Sequence, residues 1–228
     1  MARRFKYLDT LIIAFVVVLM ISNLVASKPI AAGPFRFSGA QLLFPITYIF
    51  GDIFTEVYGY GASRRAIWAG FLASALLAVM GNLVVALPPG PGWKGQEAFE
   101  TVFYQVPRVI GASLIAFWAG EFANAFVLAK MKLWTRGRML WTRTIASTAV
   151  GQLVDTFVVV FLVFAGTVPV SEMWLLMANG YIGKVVYEAA ATPLTYAAVN
   201  GLKRAEGVDV FDENTDFNPF HGDALKSG

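Results

Sequence analysis

Cysteine is absent from the 228 residues and histidine occurs once, at His221. A chain without thiols builds no disulfide framework, and a single imidazole cannot make a Cys/His metal site, so no metal, cofactor or prosthetic group is expected. An intramembrane serine protease needs a His base within its bundle, which the same shortage excludes. No Gly-x-x-x-x-Gly-Lys-Ser/Thr loop occurs, so any ATP-driven motor would be a separate protein. Charge is scarce too, at 14% of residues, against about 25% in soluble domains. In its place stand 57% hydrophobic residues and a mean hydropathy of +0.61. That balance belongs in a bilayer. The net charge of +3 does not point to nucleic acid, because the bases sit at the ends of apolar runs and not on one polar domain.

A helix needs about 20 apolar residues to cross the hydrocarbon core. Six runs are expected to do so: 8–30, 40–60, 65–87, 108–131, 141–165 and 172–202. They do not alternate as the strands of a membrane barrel would. Basic residues gather at Arg3, Arg4 and Lys6, at Arg64 and Arg65, around Lys130 to Arg143, and at Lys203 and Arg204. Every second connection is therefore basic, which predicts that both termini are cytoplasmic. The rival reading of the first run as a cleavable signal peptide would break that regularity. Residues 88–107 form the long external connection, rich in turn residues and then compatible with a short amphipathic helix at the interface. The organisation expected is a transmembrane domain over 1–205 and a flexible polar cytoplasmic tail over 206–228.

Several polar residues fall inside these runs. Counting 1.5 Å per residue from Arg64 and from Arg143 puts Asp52 and Asp155 each roughly 18 Å from the inner edge, which implies a shared level. Asn23 with Ser27, Asp52 with Thr55 and Glu56, Glu121 with Asn124, Gln152 with Asp155 and Thr156, and Lys184 with Glu188 are spaced to share a helix face. Charged groups at that depth cost several kcal/mol on insertion scales and normally face a bundle interior or a watery cavity. The plain alternative is that Lys184 pairs with Asp155 or Glu188 and merely locks helices. Five acids against one Lys leave a surplus of negative charge, which suits a ligand bringing donors or positive charge. The site residues expected are Asn23, Asp52, Thr55, Glu56, Glu121, Gln152, Asp155, Lys184 and Glu188.

Glycines such as Gly51, Gly120 and Gly151 favour close helix packing and leave room for a homodimer. Residues 51–57, Gly-Asp-Ile-Phe-Thr-Glu-Val, echo residues 151–157, Gly-Gln-Leu-Val-Asp-Thr-Phe. An all-α fold built as a three-plus-three inverted repeat around a midplane site would produce such an echo between oppositely directed helices. Asp52 and Asp155 could also serve an intramembrane aspartyl protease, but its Gly-x-Gly-Asp signature fails at Ile49. A pore built from a ring of repeated residues does not fit either. The chain does not read as an enzyme.

Asn23, GDIFTEVYG at 51–59 followed by Arg64 and Arg65, ASTAVGQLVDT at 146–156, and Lys184 ahead of Pro193 together resemble the queuosine precursor transporter family. The resemblance runs over nearly all of the chain except the tail. It implies a six-helix inner-membrane importer of 7-deazaguanines, namely 7-cyano-7-deazaguanine, 7-aminomethyl-7-deazaguanine or queuine. It implies in turn a likeness to the substrate-binding subunits of energy-coupling-factor vitamin importers, which work with an ATPase module. Asp52 or Asp155 would then accept from the guanine edge, Asn23 and Gln152 would add hydrogen bonds, and Lys184 would meet O6 or neutralise a carboxylate, held by Glu188.

Overall fold

The computed structural model describes residues 5–32, 35–104 and 106–220. Arg3, Arg4 and His221 lie outside them. Among the described residues the chain forms seven α-helices and one short hairpin: α1 Leu8–Val25, β1 Pro29–Ala32, β2 Phe35–Ser38, α2 Phe44–Ile53, α3 Tyr60–Ala86, α4 Gln96–Phe103, α5 Pro107–Trp134, α6 Leu140–Phe164 and α7 Val170–Glu206. The architecture is all-helical apart from that hairpin, in which Pro29 pairs with Ser38 and Ala32 with Phe35. Four segments are long and apolar enough to cross a membrane: Leu8–Val25, Tyr60–Ala86, Gln96–Trp134, which contains α5, and Leu140–Phe164. Six had been expected. The second run breaks into the ten residues of α2 and a π-helical turn at Phe54–Tyr58, and α7, though 37 residues long, is the most polar of the long helices.

The reversal between the second and third runs falls earlier than the Arg64–Arg65 pair suggested. Gly59 turns the chain at φ +85°, a backbone conformation that side-chain-bearing residues avoid, and α3 starts at once with Tyr60. Arg64 and Arg65 are thus helical. Arg65 pairs with Asp9 at 2.9 Å, while Arg64 is buried and donates to the carbonyls of Asp216 and Asn218. Recounted from Gly59, Asp52 lies only roughly 10 Å from the inner end of its helix, and Asp155 lies roughly 22 Å from Leu140. The two aspartates are thus at unequal distances from the starts of their helices.

Packing explains the rest of the frame. A Cβ on Gly120 would sit 2.8 Å from Asp155 Cβ and 3.0 Å from Gly151 O, and one on Gly151 would sit 2.8 Å from Asn124 Cβ. Helices α5 and α6 therefore touch backbone to backbone, as small residues permit in membrane bundles. That contact places Glu121 and Asn124 opposite Gln152 and Asp155. Phe15, Ile53, Phe54 and Val57 fill the core between α1 and the second run, with Phe15 edge-on to Phe54 at 5.7 Å. Leu72, Leu76, Val79 and Leu83, spaced three or four apart on α3, face outward as a lipid-facing stripe. The connection at 88–107 does hold a short helix, α4, with no buried residue.

Residues 208–220, read from composition as a flexible end, pack along α3 and α5. Asp212 accepts from the backbone N–H of Tyr60 at 3.1 Å through both carboxylate oxygens. Trp68 Nε1 donates to Pro219 O at 2.9 Å, and Phe217 lies 4.9 Å from the Tyr60 ring. Composition misled because Phe217 and Phe220 pack against Tyr60, Trp68 and Trp118, while Phe211 lies over Lys132.

Candidate functional site

All seven helices contribute to a cavity of about 540 Å³. At one end it is bounded by Thr101 and Val102 of α4, and it runs inward to Glu121 and Asn124 of α5, Gln152 and Asp155 of α6 and Lys184 of α7. Its volume suits a small ligand. Lys184 Nζ lies 2.5 Å from Asp155 Oδ2, so these two groups form an ion pair in the wall. Glu188 does not hold Lys184, contrary to expectation. Gln152 is hydrogen-bonded to Tyr48, and Asn23 Nδ2 donates to Ser74 Oγ at 3.2 Å. Among the described residues no cation pairs with Glu121.

Of the nine residues expected at the site, Asn23, Glu121, Gln152, Asp155 and Lys184 line this cavity. Asp52, Thr55, Glu56 and Glu188 do not. Thr55 is buried and holds Ser63 at 2.6 Å across the Gly59 turn. Serving a local turn, it bonds to its own chain and not to the cavity. Asn124, Ser74 and Tyr48 belong to the cavity in addition to the nine residues named for the site. Tyr48 stands one helical turn before Asp52, and Asn124 one turn after Glu121, so helix periodicity carried a signal for both. Ser74 carried none, being a lone small hydroxyl in an apolar helix.

Glu56 sits in a different place, at the end of the bundle marked by Gly59. It is fully buried and accepts from Arg143 Nε at 2.8 Å, Arg143 Nη2 at 2.7 Å and Lys203 Nζ at 2.6 Å. Lys132 Nζ donates to the Glu56 carbonyl at 2.6 Å and to Asp209 Oδ1 at 2.5 Å. Arg143 Nη1 also donates to the Arg138 carbonyl. One carboxylate thereby joins the second run to α5, α6 and α7 and, through Asp209, to the tail. For Asp209, burial would raise the pKa, but the hydrogen bonds and charges of Lys132 and Lys203 hold it below the usual carboxylate value. The bases that marked topology in the sequence are here the buried counter-ions of Glu56.

Asp52 and Glu188 lie between these two regions, both essentially inaccessible. None of their four carboxylate oxygens accepts a hydrogen bond of normal geometry. The Asn124 amide lies beside Asp52. An aspartyl-protease dyad is not assembled: Asp155 is paired with Lys184 in the cavity wall, whereas Asp52 is outside the lining.

A sequence profile described as "Putative vitamin uptake transporter" matches residues 38–198. A relative from Bacillus subtilis (strain 168), named "Probable queuosine precursor transporter", is 33% identical over 149 residues, covering 64% of this chain and 65% of the relative. The match thus spans slightly less than two thirds of that relative's length. No solved structure matches, and the likeness to energy-coupling-factor subunits stands as an implication of the resemblance alone.

Proposed function

The chain belongs to the vitamin uptake transporter family, and from that premise we propose that it imports queuosine precursors through the cavity between its helices. The substrate class is the 7-deazaguanines: 7-cyano-7-deazaguanine, 7-aminomethyl-7-deazaguanine or queuine. In this reading six segments cross the inner membrane, with α2 and its π-helical turn as the second and polar α7 as the sixth. Both termini then face the cytoplasm, following the basic connections. Residues 1–205 carry transport and 206–228 form the cytoplasmic end.

One observation carries the proposal. The cavity of about 540 Å³ presents Glu121, which has no cation partner among the described residues, across from the Asp155–Lys184 pair and Gln152. A guanine-like edge offers adjacent N–H donors that a carboxylate accepts together, and its O6 accepts from an ammonium or amide. Glu121 takes the donor edge and Lys184 or Gln152 takes O6. Asn23 and Ser74 close the side nearer α4. No covalent chemistry is required of any residue.

Binding of the three deazaguanines and of guanine to the purified chain tests this, with Glu121→Gln beside the wild type. A deazaguanine is expected to bind, and Glu121→Gln to weaken it by about ten- to a hundredfold, as loss of a charge-assisted hydrogen bond does. Equal binding by the variant, or no binding of any deazaguanine, would remove the proposal. Uptake by liposomes holding only this chain separates a self-sufficient transporter from a subunit that needs an ATPase module.

A further inference from the structure

Among the described residues the buried cations pair with groups other than Asp52 and Glu188, and Arg64 donates to the Asp216 and Asn218 carbonyls. Lys184 is paired with Asp155, and Arg143, Lys132 and Lys203 converge on Glu56 and Asp209. Asp52 on α2 and Glu188 on α7 share in none of it. Both are essentially inaccessible, at 0% and 1% exposure, and none of their four carboxylate oxygens accepts a hydrogen bond of normal geometry, with the Asn124 amide a donor group beside Asp52. A carboxylate stripped of water and counter-charge is strongly unfavourable, so such a group is kept only where it carries a proton or another cation.

The surroundings of Asp52 add to this pressure. The acids facing it are Glu188 from α7 and Glu121 from α5, which have no cation partner among the described residues, and Glu56 from the π-helical turn, which is paired with Arg143 and Lys203. The packed face of α1 supplies no charge, since its Asp9 is exposed and paired with Arg65. Independently, the buried Asn124 side chain lies beside Asp52 and leaves its Oδ1 without a donor. A proton needs only one carboxylate oxygen to hold it, which a closely packed pair of acids supplies.

Position links this pair to the cavity. Gly51, the neighbour of Asp52, is packed so closely on α5 that a Cβ there would lie 3.1 Å from Glu121 Oε2. Lys184 of the cavity wall stands one turn before Glu188 on α7. A ligand engaging Glu121 or Lys184 therefore alters the field and the packing at the acids behind them.

We propose that Asp52 and Glu188 form a proton-binding site that couples substrate import to proton entry. A proton taken onto one carboxylate from the outer side lowers the charge of the dry pair from two negative charges to one. Opening towards the cytoplasm wets the pair, and the same proton leaves to water. No bond other than the O–H is made or broken. The inference rests on the transport reading for its substrate, though the proton site itself does not.

Two measurements on the full chain test it. Infrared titration of the purified protein is expected to show a protonated-carboxyl band that Asp52→Asn or Glu188→Gln diminishes, with thermal unfolding as the folding control. Liposomes holding the chain are then given 7-cyano-7-deazaguanine with an inside-alkaline pH gradient, and equilibrium exchange is measured beside net accumulation. The wild type is expected to accumulate substrate until a protonophore collapses the gradient, and the variants to lose accumulation while still exchanging. An unchanged carboxyl band in both folded variants overturns the proton site. Accumulation driven by sodium, or insensitive to the protonophore, overturns the coupling. If no deazaguanine is bound or exchanged, the substrate reading fails, and the infrared result still decides the proton site by itself. Where one variant does not fold, the other decides.

Discussion

Asp52 and Glu56 are one helical turn apart on the same buried face, and the structure treats them in opposite ways. Glu56 receives one arginine and one lysine at hydrogen-bond distance, with a second lysine 3.7 Å away. Asp52 receives no cation. Identical burial thus yields a satisfied charge at the Gly59 end and an unsatisfied one a turn deeper. The lesson is that depth and helix face locate a carboxylate, while its role depends on what the other helices bring to it. A paired buried charge is costly to break but contributes modest net stability, and an unpaired one is retained at a cost to stability, which argues for function.

The sharpest way to break the comparison is Glu56→Gln. It leaves Arg143, Lys132 and Lys203 in a dry site with one acid among them, so a loss of about 3–5 kcal/mol is expected. The unfolding temperature of the purified protein should fall steeply.

Next in size is Gly120→Ala. Its new Cβ would meet Asp155 Cβ and the Gly151 carbonyl, forcing α5 from α6 at a cost of about 1–3 kcal/mol. Because the Asp155–Lys184 pair lines the same contact, ligand binding should weaken along with stability. An unchanged unfolding temperature would show that the helices are less tightly seated than described.

Asp209→Asn is expected to cost about 0–1 kcal/mol, since the partly exposed acid is screened by solvent. Its sign with pH follows from its depressed pKa. The stabilisation is present above the ordinary Asp value of about 3.9 and is lost as pH falls through the lower folded value. Trp68 fluorescence, reporting the contact with Pro219, should therefore stay constant through neutral pH and change only in strong acid.

Smallest of all is Asp52→Asn, whose unfolding temperature should equal or exceed that of the wild type. A clear loss would mean that Asp52 has a structural partner after all and would erase its contrast with Glu56.

Much of the frame was legible in the sequence, through apolar runs, small-residue contacts such as Gly120 with Gly151, and the short helix in the 88–107 connection. Asn23, Glu121, Gln152, Asp155 and Lys184 were also legible, because a polar residue in a long apolar helix has few places to go. The position of the second reversal was not. Arg64 and Arg65 mark a helix end by charge, but Gly59, at φ +85°, makes the turn, five residues earlier than Arg64.

Composition and periodicity by themselves determined that this chain is a helical membrane protein, which polar residues lie inside it, and that acids outnumber the bases among them. Those are properties of single helices in hydrocarbon, set by local transfer energies and by the 3.6-residue turn. Only the tertiary structure decided that Arg143, 87 residues from Glu56, and Lys203, 147 residues away, neutralise that carboxylate while Asp52 and Glu188 go without. Charge pairing across helices depends on distances of a few ångströms between segments remote in sequence, and no one-dimensional pattern encodes those distances.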